Sequence, residues 1–572
     1  MKLTRHILTI VLIGSVFAGC SNLDETLYSS IGSNNYYNTK DDVLRAAYRP
    51  FEHAFWSIQS RFTLNELSAD QLITPVRDGW WDDGGIWSRY HKHGWTEIRG
   101  ADDSIIYEWA GCFQGIGQCN YVIEELARLN PARYGFTQAE FDGLVAQCRV
   151  LRAWFYMRLL DAFRNVPYVV SFNDQSKNTE TQVEPKRIFR LIEDELKDCI
   201  DLVSENGPSV GAGQWTRGGV AALLVRLYLN AEVYIGEKHY DDCETYAQEL
   251  LKGTYGRYSV ADRWDAAFDW DNDKCDEVIF AFPAASGYTS WHYDFYWHTV
   301  PANSEVYFGD RKCKKGAHNC KFAASPSYDL DGKLYDYELG MPVQKFRKYP
   351  GDERMKMYRN LGNGRREGMF VYGYMEYTDN SGKTVRMTAP EKPYTLYIRD
   401  AVGTFHDLPP ENWPKNKVST LASGDHNSGW HFVKYPFYAD DDTHQLESDC
   451  VEIRLPEVIY ALAECRLRDG DTDEAAALLN SVRRRNYPEE NLEDVLYAPE
   501  GKVKLDMNEM LDEWGREFFA EGRRRIDLIR FGKFSTGRWW DKDPDDDDHC
   551  QIFPLIRQTL DTNDKLNQNP GY

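Results

Sequence analysis

Two stretches of this chain concentrate side chains suited to recognition chemistry. The first, between Asp78 and Gly100, contains GWWDDGGIWSRYHKHGWTEIRG, with four tryptophans and five glycines. It sets Trp80, Trp81, Asp82, Asp83, Trp87 and Tyr90 close together. The second, YTSWHYDFYWH, carries Tyr288, Trp291, Tyr293, Asp294, Tyr296 and Trp297. Flat rings beside fixed polar groups suit a pyranose, which has an apolar C–H face and a rim of hydroxyls. Covering about 100 Å² of ring face yields roughly 2.5 kcal/mol, whereas even millimolar binding needs about 4 kcal/mol. At least two rings must therefore act together with a carboxylate or an arginine. The candidates are Trp81, Trp87, Trp291 and Trp297, with Tyr296 and Asp83. The competing role for each tryptophan is the small core of its own loop. Trp95 and Trp109, nearer helical pattern, are assigned to packing, and Trp430, beside Gly429 and Asn427, is held in reserve.

Other constellations are weaker. Cys313, His318 and Cys320 have metal-ligating types but lack a second pair at matching spacing, so a local disulfide or free thiols are expected there. Asp543 and Asp545 to Asp548 could offer calcium its oxygen ligands, but such a run reads better as a solvated acidic turn. His91 and His93 lack a third ligand. No P-loop, dinucleotide fingerprint or G-x-S-x-G elbow occurs, and no carboxylate pair is singled out as a glycosidase couple. No cofactor and no metal are expected.

The elements that must position these loops are helices. In Arg454–Arg485, Leu455, Val458, Ile459, Leu462 and Cys465 recur at helical spacing, Gly470 marks a left-handed cap, and Asp471 with Glu474 spells a capping box. Ala475, Leu478, Leu479 and Val482 then turn one stripe back onto the first helix, with Asp473 and Arg483 to Arg485 expected in water. Such a hairpin cannot bury both faces alone, and its small residues suit a tetratricopeptide-like stack. Further helices are expected from Thr39, at Asp103 to Leu129, Thr137 to Phe163, Glu184 to Val203, Thr216 to Tyr234, Tyr240 to Leu251 and Asn508 to Ile529. Cys112 and Cys119 fall on one helix face as small buried hydrophobes. Between 264 and 449 Gly, Pro, Asp and aromatics take over, with short strand-like runs at Val278 to Phe282 and Arg386 to Met387. That stretch is too long for a plain loop and reads as a loop-rich subdomain.

The 572 residues and a mean hydropathy of −0.60 suit a body outside the bilayer. At the amino end, Lys2 and Arg5 precede an apolar run from Ile7 to Ala18, then Gly19 and Cys20, which reads as a signal peptide ending in a lipobox. Residues 1–19 would be removed and Cys20 lipidated; the alternative is an ordinary secretory leader. Losing Lys2 and Arg5 takes the formal charge from −23 to −25, which excludes nucleic-acid binding and disfavours a polyanionic glycan relative to a neutral one. Of the twelve cysteines, eleven remain beyond Cys20, so at least one is unpaired within the chain.

Cys20, DEVIFAF at Asp276 to Phe282, IRLPEVIYALAE at Ile453 to Glu464, REFFAEGRRRIDLIRFG at Arg516 to Gly532 and the closing LNQNPGY occur in an order that resembles the SusD/RagB family of outer-membrane glycan-binding lipoproteins of Bacteroidetes. The resemblance implies a mainly α, tetratricopeptide-like scaffold with a loop-rich face: 20–263, a 264–449 subdomain and 450–572 in one body. It also implies a TonB-dependent, SusC-like transporter as partner, anchorage at the outer membrane facing outward, and no catalysis. A carbohydrate-active enzyme on the same scaffold is the alternative, and loops that grip the transporter while the protein handles other nutrients are a third reading. Within the Arg516 motif, Trp514, Phe518, Ile526 and Ile529 supply an apolar stripe, and Glu521 is expected to pair with Arg524 and Arg525 at i+3 and i+4, tying the region down.

Overall fold

The computed structural model describes residues 36–98, 103–172, 181–204, 213–285, 288, 298–304, 307–308, 320–362, 365–379, 381–390, 392–436 and 447–572. Cys20, Trp291, Tyr296 and Trp297, together with Cys313 and His318, lie outside them. The chain is mainly helical. Helices α1 (Lys40–Leu67), α2 (Ile86–His91), α3 (Asp103–Leu126), α4 (Gln138–Phe163), α5 (Pro185–Cys199), α6 (Arg217–Leu229), α7 (Ala231–Ile235) and α8 (Tyr240–Leu251) form the first part. After α9 (Pro342–Arg347) come α10 (Leu455–Arg468), α11 (Thr472–Arg483), α12 (Met507–Glu517), α13 (Arg524–Arg530) and α14 (Arg557–Thr562).

Local chemistry starts these helices. Thr39 with Asp42 and Thr137 with Glu140 make reciprocal capping boxes on α1 and α4, and Asp471 accepts the Glu474 N–H at 3.0 Å on α11. Packing then joins them: α1 on α3, α3 on α4, α4 on α5, α6 on α8, α8 on α10 and α10 on α11. The array is thus continuous in space although residues 264–449 interrupt it in sequence. Close approach is built in at Gly115 of α3, where a Cβ would lie 2.1 Å from the Phe155 ring of α4. Cys112 and Cys119 are buried free thiols on α3. No described helix is long and apolar enough to cross a membrane.

Among the described residues the interrupting stretch holds short strands in two-stranded pairs. Its two ends are zipped together: β2 (Val278–Phe282) runs antiparallel to β4 (Cys450–Arg454), with Phe282 opposite Cys450 and Val278 opposite Arg454. Asn272 reinforces the seam, donating to the Asp449 carbonyl at 2.9 Å and accepting its N–H at 2.8 Å. A second pair, β1 (Leu72–Ile73) with β3 (Ala323–Ala324), docks the loop-rich part onto the end of α1. One hydrophobic core runs through both regions.

Several boundaries differ from the periodicity reading. The expected helix Asn508 to Ile529 is two, broken where Ala520 and Gly522 adopt φ of 60° and 75°. The break turns Glu521 away from Arg524 and Arg525; it pairs with Arg454 at 2.9 Å and Lys434 at 2.7 Å, while Arg524 pairs with Asp70 and Arg525 with Asp161, each at 2.7 Å. Thr216 to Tyr234 likewise breaks at Asn230, and the 184–203 segment ends its helix at Cys199. The strand near Arg386 covers Thr384–Arg386. Arg483 and Arg485 are not wet: their guanidinium groups are enclosed, Arg483 against Glu513 and Arg485 against Glu277 and Glu517. Only Arg484 of the three is exposed.

These pairs form a buried lattice. Arg454 bonds Glu517 at 2.6 Å and Glu277 at 3.2 Å, and Arg485 reaches Glu517 at 2.8 Å. Burial alone would raise the Glu517 carboxyl, but Arg454, Arg485 and Arg354 hold it far below its ordinary range. Asp70 beside Arg524 and Glu509 beside Arg516 end near about 2 by the same competition. Glu517→Ala removes the carboxylate that Arg454 and Arg485 share, leaving Arg454 with Glu277 and Glu521 and Arg485 with Glu277 alone. This net buried positive charge should cost about 3–5 kcal/mol, read as a lower unfolding midpoint in denaturant. A depressed carboxyl stabilises above its unfolded pKa and loses that contribution as pH falls. The wild-type midpoint should therefore drop steeply from about pH 4 toward pH 2, and a flat midpoint across that window would contradict the lattice.

Candidate functional site

The first aromatic stretch is a loop held open by one buried arginine. Arg77 exchanges backbone hydrogen bonds with Trp80 at 2.9 Å each way, making a tight turn. Its side chain is fully enclosed and donates to the carbonyls of Cys320 at 2.8 Å, Asp425 at 3.4 Å and Ser428. Asp78 follows, accepting from Lys392 at 2.8 Å, Tyr394 at 2.8 Å and His406 at 2.9 Å. Burial opposes its ionisation, but the three donors keep its pKa below normal. At and just beyond these anchors the backbone is strained: Asp78, Trp81 and Asp83 sit at φ of 52°, 64° and 40°. An aromatic residue in the left-handed region costs on the order of 1 kcal/mol or more and persists only where its surroundings over-determine it.

The strain sets the rings. Trp81 and Trp87 are half-buried, 6.4 Å apart with an interplanar angle of 72°, so they form a corner and not a flat platform. Asp83 accepts the Trp87 indole N–H at 2.7 Å, and His298 meets Trp81 edge-on at 5.6 Å. Trp80 points elsewhere, edge-on to His426 at 5.1 Å. Into the corner comes Lys321, whose Nζ lies 3.8 Å from the Trp87 centroid and 5.6 Å from that of Trp81. One face of Trp87 is therefore covered by an ammonium group. Burial pushes the Lys321 pKa down to about 7, offset in part by Asp83.

Trp81, Trp87 and Asp83 thus come together on one loop. From the second stretch Tyr288 is described and is 89% exposed. Trp95 and Trp109 are buried, as packing requires. Trp430 is enclosed, stacked on Tyr372 at 3.9 Å, and so loses its reserve role. His91 ends α2 and His93 lies in the turn after it, both buried. His93 does gain neighbours, Asp545 and Cys550, whose ligand atoms lie within 4.8 Å of one another. Asp545 bonds His93 at 2.7 Å and Lys542 at 3.0 Å, so that acidic residue belongs to a buried network and not to a solvated turn. Lys321 carried no signal in the sequence, since it reaches the corner across more than 200 residues of chain, whereas His298 closes the second aromatic stretch without being named as a candidate.

A groove of about 1310 Å³ lies elsewhere, between α1, α3 and the α14 region. Tyr36, Trp109, Phe113, Tyr121 and Phe172 line it, and the Gln118 and Gln558 side-chain oxygens there are buried without a partner.

A helical-hairpin array whose loop-rich side carries rings on a strained turn is the architecture to be matched. A family model described as "SusD family" covers residues 276–572, and another, described as "Starch-binding associating with outer membrane", covers 59–229. The chain belongs to the SusD family. It is 24% identical over 553 residues to the starch-binding protein SusD of Bacteroides thetaiotaomicron, spanning 90% of this chain and 85% of that one. In fold it is similar to a laminarin-binding SusD-like protein (TM-score 0.63, 16% identity, 94% and 100% of the two chains). It is also similar to NanU of B. fragilis (0.64, 17%, 95% and 99%) and to the surface glycan-binding protein A of Bacteroides fluxus (0.62, 15%, 93% and 100%).

Lys321 yields a stability test. With its folded pKa at about 7 against an ordinary 10.5, the unfolded chain binds a proton that the folded chain does not across that window. Stability from this group should accordingly rise with pH between those values. Lys321→Met should raise the melting temperature at pH 6 and change it little at pH 10. A variant less stable than wild type at pH 6 would show that the ammonium group supports the fold.

Proposed function

We propose that this chain is a surface glycan-binding subunit without catalytic activity, which captures oligosaccharides at the Trp81–Trp87 corner and passes them to a TonB-dependent, SusC-like transporter. The observation that carries the reading is the pair of half-exposed indoles held at 6.4 Å by a strained loop, with Asp83 fixing one of them. Strain of that kind brings no stability, whereas it places ring faces where a ligand can reach them. Membership of the SusD family, and relatives named for binding starch, laminarin and surface glycans, support the same role. Trp291, Tyr296 and Trp297 are proposed as further rings of the site, because one corner supplies too little energy alone. The formal charge of −23 disfavours a polyanionic glycan.

Cys20 is the proposed lipidation point, anchoring the body at the outer membrane with its loop-rich face outward. In cells, Cys20→Ser should move the protein from the membrane to the soluble fraction, and full membrane retention would exclude the anchor.

A neutral glycan panel read by affinity electrophoresis and calorimetry tests the binding reading. Wild type should bind at least one member. Trp81→Ala with Trp87→Ala should weaken that binding at least tenfold at an unchanged melting temperature, while Tyr121→Ala with Phe172→Ala in the groove should leave it intact. The reverse pattern would move the site to the groove. New reducing ends released from any glycan would favour the hydrolase alternative.

A further inference from the structure

The chain buries four described lysines to below one-tenth exposure: Lys321 at 7%, Lys345 at 8%, Lys434 at 6% and Lys542 at 4%. Three of them have a carboxylate. Lys345 meets Asp512 at 2.5 Å, Lys434 meets Glu521 at 2.7 Å and Lys542 meets Asp545 at 3.0 Å. Lys321 has rings instead. Its neighbours are the faces of Trp81, Trp87 and Phe322, and no oxygen among the described residues accepts a hydrogen bond from it. A buried ammonium group is costly to desolvate, and cation–π contacts return only part of that cost. Among the described residues no carboxylate pairs with this ammonium group, which sits where the two half-buried indoles meet.

Nor is Lys321 free to turn away. Cys320 before it adopts φ of 69°, the Phe322 N–H after it donates to the His298 carbonyl at 2.8 Å, and Ala323–Ala324 are fixed in β3 opposite β1. The Phe322 ring packs on Phe62 of α1 at 5.6 Å. The backbone on either side is thus tied to the core, and from it the Lys321 side chain extends into the corner. Asp83, the carboxylate that acts on it electrostatically, already accepts the Trp87 N–H and is exposed.

We propose that Lys321 is a specificity-determining residue of the ring site, and that the sugar it selects carries a carboxylate, with the apolar face of that sugar on the indole corner and its carboxylate completing the coordination of the buried ammonium group. This rests on the glycan-binding reading and narrows its substrate class. A single carboxylate supplies what the three other buried lysines obtain from the protein itself. The negative field of the rest of the surface still disfavours a densely charged polymer, so the ligand is a sparsely acidic glycan, with uronic or other acidic sugars set among neutral ones.

The test is calorimetry on matched pairs that differ by one acidic sugar: xylotetraose against its glucuronic-acid-substituted form, and lactose against sialyllactose. Wild type should bind the acidic member of at least one pair tenfold or more tightly than the neutral one. Lys321→Met should erase that preference, Lys321→Arg should retain part of it, and circular dichroism and melting should report both variants folded. Equal or tighter binding of every neutral member, or a preference that survives Lys321→Met, overturns the inference while leaving glycan binding in place. Failure to bind any member of these pairs overturns it as well. Failure across the neutral panel in addition overturns the glycan reading itself.

Discussion

The structure depends on one electrostatic constraint: a guanidinium group taken out of water must meet carboxylates in return. Arg454 stands where the loop-rich stretch rejoins the helical array, at the end of β4 and the start of α10. It bonds Glu277 from just before β2, and Glu517 and Glu521 from the turn after α12. Three segments far apart in sequence are therefore fixed to one side chain. Removing any one carboxylate leaves the buried cluster with an excess positive charge, so the three segments are energetically coupled.

Because that junction is rigid, a strained loop can be carried beside it. Arg77 repeats the motif on a smaller scale with carbonyls as partners, and the positive φ angles of Asp78, Trp81 and Asp83 occur at and just after the anchors that it and Asp78 provide. The indole corner, and the ammonium group inside it, are consequences of that over-determination. The groove between α1 and α3 is built differently, mostly from helix faces, and none of its lining residues has a positive φ.

The helical part was largely readable from its residues. Periodicity located α4, α8, α10 and α11 closely, and α4 and α11 also start on side-chain caps from Thr137 and Asp471. Periodicity failed where long-range partners overrode it. The sequence pattern carried a helix through Ala520, but Glu521 is drawn to Arg454 and Lys434, and the chain breaks to let it reach them. The same pull buried Arg483 and Arg485, which polar patterning alone puts in water. At the site, Trp81, Trp87 and Asp83 were legible because they are neighbours in sequence.

What the sequence determined by itself was therefore local: which segments coil, which are too rich in glycine and rings to do so, and which rings share one loop. Whether those rings form a flat platform or a corner, and which charge sits between them, was decided only in three dimensions. The reason is physical. Helical spacing and capping act over a few residues and leave a trace at fixed intervals, whereas the burial of Lys321 and the pairing of Arg454 depend on chain segments brought together from hundreds of residues away.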